Sequence, residues 1–183
     1  MRGALIFVTG PSGSGKDTLI RAALAARPDI LPARRRITRP ADTATEDFEP
    51  VTEAAFAELK KTGAFALDWE AHGLSYGVPR EIEKPLAAGR HVLANGSRAA
   101  IEAARARFSP LLILLVTAPA EVLAARLAAR GRESAEAIAE RLARAALDAP
   151  TGADVIAVCN GGALEDGIAA FLSALPAPSG ESG

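Results

Sequence analysis

The chain has 183 residues, of which 49% are hydrophobic and 23% are charged, and this balance predicts one globular domain with its own core. A formal net charge of -1 excludes a general binder of nucleic acids or anionic membranes, because those partners attract strongly basic proteins. The single cysteine, Cys159, excludes an internal disulfide and a cysteine-based zinc site, and no apolar run approaches the roughly 20 residues of a membrane span. We therefore expect a cytoplasmic protein whose partner is neither nucleic acid nor membrane.

Apolar segments typical of buried strands alternate along the chain with segments whose apolar residues recur at helical spacing. The strand candidates are residues 4–9, 91–94, 111–117 and 154–158, and the helix candidates are residues 16–27, 97–108, 119–129, 134–147 and 163–175. Continuous apolar strands between helices predict an α/β fold, in which a central parallel sheet is flanked by helices on both faces.

Residues 34–89 fit this alternation less well and are predicted to form an insertion, with a helix candidate at 53–62 and a strand candidate at 65–69. The insertion would project beyond the carboxyl ends of the strands, where ligands of open α/β sheets bind, so we expect it to hold the acceptor substrate. The expected boundaries are 1–175 for a single domain, 1–33 and 90–175 for its core, and 176–183 for a disordered tail rich in proline, glycine and serine.

A glycine-rich segment, GPSGSGK at residues 10–16, lies between the first strand candidate and the first helix candidate and fits the G-x-x-x-x-G-K pattern of a phosphate-binding loop. Its glycines let backbone amides turn toward phosphate oxygens, and the dipole of the following helix adds attraction. Lys16 supplies a positive charge between the β- and γ-phosphates. The segment predicts a nucleoside triphosphate site formed by Gly10, Pro11, Ser12, Gly13, Ser14, Gly15, Lys16, Asp17 and Thr18.

The residue after Lys16 is Asp17, at a position where such loops normally carry a hydroxyl that binds magnesium, and Thr18 follows it. A carboxylate is a hard oxygen ligand that coordinates magnesium directly or through water. We therefore expect Mg²⁺ beside Asp17, with Thr18 as the competing ligand.

Five further segments, together with this loop, resemble the guanylate kinase family from residue 5 to about residue 175. They are RRRITRP at 34–40, HGLSYGVP at 72–79, HVLANGSR at 91–98, RLAARGRESAEAIAERL at 126–142 and DVIAVCN at 154–160. The resemblance implies a P-loop kinase fold with an acceptor-binding insertion and a helical lid at about 126–144. It also implies ATP as the phosphoryl donor.

The resemblance implies further residues of the ATP site and of catalysis. Lys16, Arg130 and Arg141 match catalytic residues of the family, in which closure of the lid brings the two arginines onto the transferred phosphoryl group. Arg126, four residues before Arg130 on the same helix face, and Asn160 match ATP-binding positions, with Asn160 beside the adenine.

The departures from guanylate kinases bear on the acceptor. Arg39 and Tyr76 match residues that hold the acceptor phosphate, whereas Arg35 stands near the usual serine. Where family members place carboxylates near the base and the metal, this chain has Asn95 and Ser97. Loss of a guanine-reading carboxylate and gain of guanidinium groups favour a small, doubly phosphorylated acceptor over a purine nucleotide, because arginine binds phosphate bidentately.

Two further features of the insertion concern this acceptor. Alternation along an extended strand would put Arg34 and Arg36 on one face and Arg35 on the other. Asp68 is expected to accept hydrogen bonds from ribose hydroxyls, although an ordinary surface carboxylate is the alternative. Tyr76 is predicted to lie in a glycine-flanked loop and to donate its hydroxyl to a phosphate oxygen.

Within that family, the GKDT ending of the loop and the LANGSR segment at 93–98 resemble those of kinases that act on ribose 1,5-bisphosphate. This narrower resemblance implies transfer of the γ-phosphoryl group of ATP to ribose 1,5-bisphosphate, giving 5-phosphoribosyl 1-diphosphate in phosphonate breakdown. No general base is required, because a phosphate monoester with a second pKa of about 6 is already largely anionic at neutral pH. A guanylate kinase with altered base contacts, a non-catalytic interaction domain of the same family and a P-loop regulatory ATPase are the alternatives. Formation of a homodimer is also left open.

Overall fold

The computed structural model describes residues 2–40, 47–129, 131, 134–147 and 149–178, with no side-chain description at 141 and 144–147. The strands among these residues are β1 Leu5–Thr9, β2 Leu31–Pro32, β3 Arg36–Ile37, β4 Glu49–Pro50, β5 Phe65–Ala71, β6 Leu74–Pro79, β7 Val92–Asn95, β8 Leu111–Thr117 and β9 Val155–Cys159. The helices are α1 Lys16–Ala26, α2 Glu53–Lys61, α3 Glu83–Ala87, α4 Ile101–Arg107, α5 Ala120–Ala128, α6 Ala135–Leu147 and α7 Leu164–Ser173.

The central sheet has five parallel strands in the order β2-β7-β1-β8-β9. Its middle strand, β1, is buried along its whole length, and its alternate side chains enter two different cores. Leu5 and Phe7 belong to the core that extends to the insertion, whereas Ile6 and Val8 belong to the core beneath α1 and α7. The predicted α/β fold with a parallel sheet flanked by helices is confirmed.

A second sheet, in the order β4-β3-β6-β5, is formed by residues that the sequence assigns to the insertion. Its β5–β6 hairpin turns at His72 and Gly73, whose φ angles of 53° and 74° are those of a two-residue type I′ turn. Because this turn uses only two residues, the chain returns at once as β6. Tyr76 therefore lies on a strand, and its predicted placement in a loop is wrong.

Two chain segments differ in detail from their predicted form. The helix candidate at 97–108 starts with a 3-10 turn at Arg98–Ala100, and α4 follows it. In the segment predicted to be a disordered tail, the carbonyls of Pro176 and Ala177 accept hydrogen bonds from Arg27 Nη1 and His91 Nε2, both at 3.1 Å, and residues 179–183 lie outside the described residues. In the described part of the chain, we find no helix with the length and apolar character needed to cross a membrane.

Candidate active site

The glycine-rich loop begins directly after β1, at the carboxyl edge of the central sheet. Gly13 and Gly15 both have φ angles of 85°, a left-handed conformation that other residues rarely adopt. Gly15 also forms the N-cap of α1, an 11-residue helix, so the backbone amides of the loop lie next to the positive end of the helix dipole. This is the geometry in which backbone N–H groups and a helix dipole bind phosphate.

Two cationic side chains contact the carbonyl oxygens of this loop. Lys16 Nζ donates to the carbonyls of Gly10, at 2.7 Å, and Pro11, at 3.2 Å. Arg126 Nη1 reaches across from α5 and donates to the Gly13 carbonyl at 3.2 Å. The structure thus brings together Lys16 and Arg126, which the sequence assigns to the ATP site.

Asn160 is 3% exposed and lies behind the loop, directly after β9. Its backbone amide donates to the Thr117 carbonyl at 2.7 Å, and its side-chain Nδ2 donates to the Ser14 carbonyl at 2.8 Å. A Cβ atom added at Gly15 or at Gly167 would collide with the Asn160 side chain, so a larger residue at either position would displace that side chain. The side chain therefore supports the phosphate-binding loop, a contact that the predicted position beside the adenine did not anticipate.

Asp17 lies in the first turn of α1, and its Oδ1 accepts a hydrogen bond from Asn95 Nδ2 at 3.0 Å. Asn95 is the last residue of β7, the strand next to β1, so the parallel sheet places both groups at the same edge. Thr18 is exposed. The predicted metal ligand, Asp17, is therefore hydrogen-bonded to a residue of the strand next to β1.

A cluster of one guanidinium and two aromatic rings lies on the inner face of the second sheet. Tyr76 is paired with Trp69 across β5 and β6, and their rings stack with centroids 5.5 Å apart and an interplanar angle of 1°. Arg35 is 6% exposed, and its Cζ lies 5.3 Å from the centre of the Tyr76 ring and 5.8 Å from that of the Trp69 ring. Both distances are within the range of cation–π attraction.

Arg39 lies beyond the end of β3 and contacts a different ring. Its Cζ is 4.5 Å from the centre of the Phe48 ring. Its Nε is buried and has no hydrogen-bond partner among the residues that the structure describes. A buried donor of this kind is costly to leave unpaired, and an anionic oxygen would satisfy it.

The remaining arginines of this segment lie on the other face, as alternation predicted. Arg34 donates to Asp47 at 2.9 Å, and Arg36 pairs with Glu49 at 3.2 Å. Of the three arginines, Arg35 is therefore the one whose guanidinium contacts the Trp69 and Tyr76 rings.

Asp68, which the sequence predicts to bind ribose hydroxyls, lies apart from the Arg35–Tyr76 cluster. It is paired with Gly77, one position away from the Trp69–Tyr76 pair, so its side chain lies on the opposite face of the sheet. There its carboxylate forms an ion pair with Lys60 of α2 and accepts a hydrogen bond from the Lys60 ammonium group. This hydrogen bond raises the pKa of Lys60. This position agrees with the alternative stated for Asp68, an ordinary surface carboxylate.

Two predicted catalytic residues cannot be placed. Arg130 lies outside the described residues, and Arg141 belongs to α6 but its side chain is not described. Conversely, Trp69 and Asn95 contact predicted site residues although the sequence analysis gave neither a role in the site. The sequence signal for Trp69 was the alternation of side chains along β5, which places the adjacent residues Asp68 and Trp69 on opposite faces of the sheet.

Comparison with known proteins gives a consistent result. A family model described as an AAA domain matches residues 5–150. A ribose 1,5-bisphosphate phosphokinase PhnN from Acidiphilium cryptum is 52% identical over 176 residues, which cover 94% of this chain and 92% of that protein. A bifunctional ribose 1,5-bisphosphokinase-thymidine phosphorylase from Cupriavidus necator is 49% identical over 94% of this chain, which spans only 29% of that longer protein.

Among solved structures, guanylate kinase from Anaplasma phagocytophilum superimposes with a TM-score of 0.71 over 94% of this chain and 85% of that chain, at 18% sequence identity. At this identity the likeness concerns the fold. The parallel sheet, the phosphate-binding loop and this likeness define a P-loop kinase with the guanylate kinase architecture. Within that class, the chain belongs to the ribose 1,5-bisphosphate phosphokinase family.

The position of Asn160 predicts that its side chain controls nucleotide affinity through the shape of the loop. Asn160→Ala leaves the Ser14 carbonyl without its donor, a loss of about 1 to 3 kcal/mol that should weaken ADP binding. Asn160→Asp should weaken it further, because a carboxylate repels the phosphates and cannot donate. Isothermal titration with ADP measures both effects, and Ser173→Ala, at an exposed position of α7, is the matched control. Wild-type ADP affinity in a folded Asn160→Ala protein would contradict this role.

Proposed function

We propose that this protein transfers the γ-phosphoryl group of ATP to the 1-phosphate of ribose 1,5-bisphosphate, forming 5-phospho-α-D-ribosyl 1-diphosphate and ADP. The observation that carries the proposal is the pairing of an intact phosphate-binding loop with Arg35 and Arg39, two guanidinium groups held against aromatic rings in the inserted sheet. The relative from Acidiphilium cryptum, which is named for a ribose 1,5-bisphosphate kinase activity, supports the acceptor.

The donor half of the reaction uses the loop and its cations. Backbone N–H groups of the loop bind the phosphates of ATP, and Lys16 leaves the carbonyls of Gly10 and Pro11 to follow the γ-phosphate. Arg126 adds a second positive charge from the side of α5. Asn160 keeps the loop in its binding shape from behind. Arg130 and Arg141 complete the charge around the transferred group in this proposal.

The acceptor half uses the cluster in the second sheet. Arg39 and Tyr76 hold one phosphate of the sugar, and Arg35 holds the other, so the ribose spans the distance between them. Guanidinium groups suit this task because their N–H groups match phosphate oxygens in pairs. The attacking oxygen of the 1-phosphate carries its negative charge at neutral pH, which removes the need for a general base.

Asp17 and Asn95 fit a magnesium ion that accompanies ATP. The donor set is a carboxylate beside the loop, which is the oxygen ligand that magnesium prefers. Bound there, the ion would neutralise charge on the phosphates. Asn95 fixes Asp17 Oδ1 at 3.0 Å and so orients the carboxylate.

Product identification tests the proposed reaction. With ATP, MgCl₂ and ribose 1,5-bisphosphate, phosphorus NMR should show new diphosphate resonances that match 5-phosphoribosyl 1-diphosphate. Lys16→Ala should lower the rate by about 100-fold or more while the protein stays folded, because one transition-state contact of this kind contributes about 3 kcal/mol. ATP hydrolysis without a new diphosphate, or wild-type turnover by Lys16→Ala, would contradict the proposal.

The metal position gives a second prediction. Asp17→Asn should raise the magnesium concentration for half-maximal rate by about tenfold or more, because it removes a charged contact of about 1.5 to 3 kcal/mol. The KM for ribose 1,5-bisphosphate should change much less. Thr18→Ala, at the adjacent exposed position, is the comparison variant. An unchanged magnesium titration for Asp17→Asn with a large effect of Thr18→Ala would assign the ligand to Thr18.

A further inference from the structure

The indole of Trp69 joins the acceptor residues to the rest of the protein. On one side it stacks on the Tyr76 ring with an interplanar angle of 1°, and the Arg35 guanidinium lies within 5.8 Å of its centre. On another side its ring meets Phe7 of β1 edge to face, at 6.2 Å and 79°. Trp69 itself is 7% exposed, so these neighbours enclose it.

The two acceptor residues depend on this ring in different ways. Tyr76 lies opposite Trp69 in the hairpin and is partly exposed, so the stack is what fixes the direction of its hydroxyl. Arg35 precedes the two-residue strand β3, and its Cζ lies over both rings. Burial of a guanidinium restricts its solvation, and the negative faces of two rings compensate part of that cost.

Phe7 explains why Trp69 is itself fixed. It is fully buried in the middle strand of the central sheet. Its ring is confined on a further side by Gly96, where an added Cβ atom would collide with it. The edge-to-face contact therefore fixes Trp69 against the buried middle strand of the central sheet.

We propose that Trp69 is a positioning residue for the acceptor, whose indole sets the Tyr76 hydroxyl and the Arg35 guanidinium at the separation that the two phosphates of one acceptor molecule require. This role rests on the proposed function. Trp69 acts through the two residues and makes none of the loop contacts described for Lys16 and Asn160. Its loss should therefore affect the acceptor and spare ATP.

Kinetics of two variants separate positioning from simple core packing. Trp69→Leu keeps an apolar side chain but no ring, and it should lower kcat/KM for ribose 1,5-bisphosphate by about tenfold or more, with KM for ATP within about twofold of wild type. Trp69→Phe restores a ring and should recover most of the lost activity. Phe56→Leu is the matched control, because it breaks the Phe56–Phe65 stack of the same subdomain and should change neither constant.

Tryptophan fluorescence tests the same role without turnover. Trp69 is the only tryptophan and Tyr76 the only tyrosine of the chain, so the emission reports this stack. Ribose 5-phosphate, added without ATP, should change the Trp69 emission saturably, and Arg35→Ala should abolish the response. A non-hydrolysable ATP analogue alone should cause a smaller change, because the loop does not touch the ring.

The outcomes distinguish this inference from the proposed function. If no diphosphate product forms but ribose 5-phosphate changes the emission through Arg35, the positioning role stands and the proposed reaction fails. The positioning role is overturned if Trp69→Leu retains wild-type kcat/KM for the acceptor or raises both KM values by the same factor. It is also overturned if ribose 5-phosphate leaves the emission unchanged.

Discussion

Repulsion between phosphate groups is the constraint on which this structure depends. The proposed transfer between ATP and a sugar bisphosphate would bring several anionic groups together, whereas the whole chain has a net charge of -1. Positive charge therefore has to be concentrated locally. Arg34 and Arg36 pair with carboxylates on the outer face of the second sheet. Lys16 and Arg126 donate to carbonyl oxygens of the phosphate-binding loop, and the Arg35 guanidinium lies over two aromatic rings.

A single strand connects the donor and acceptor halves of the site. β1 ends at the phosphate-binding loop, and its Phe7 side chain touches Trp69 of the inserted sheet. The next residue, Val8, faces the opposite core, in which Leu19 of α1 and Phe171 of α7 lie. One core therefore packs beneath the phosphate-binding loop and α1, while the other core contains Trp69 and packs against Tyr76. Both halves share the most deeply buried strand of the protein.

The parts of the fold that follow from local pattern could be predicted from the sequence. The parallel sheet, its helices and the loop are set by apolar runs and glycine spacing, and the kinase family follows from the motifs. The pairing of Asp68 with Gly77 and the strand position of Tyr76 could not, because both depend on the His72–Gly73 turn that fixes the register of β5 and β6. The contact of Asn160 with Ser14 joins residues far apart in the chain, which no local pattern encodes.

The central claim is that the acceptor is a sugar bisphosphate, and competing specificity constants test it most directly. Asn95 stands where related kinases carry a carboxylate, and its side-chain amide donates a hydrogen bond to Asp17. It therefore has no negative charge with which to accept hydrogen bonds from a guanine base. A lost charged hydrogen bond costs about 1.5 to 3 kcal/mol, so kcat/KM for GMP should be lower than that for ribose 1,5-bisphosphate by at least about tenfold. The measurement uses one enzyme preparation, with ATP and MgCl₂ at saturation. A GMP constant equal to or above that of ribose 1,5-bisphosphate would contradict the account.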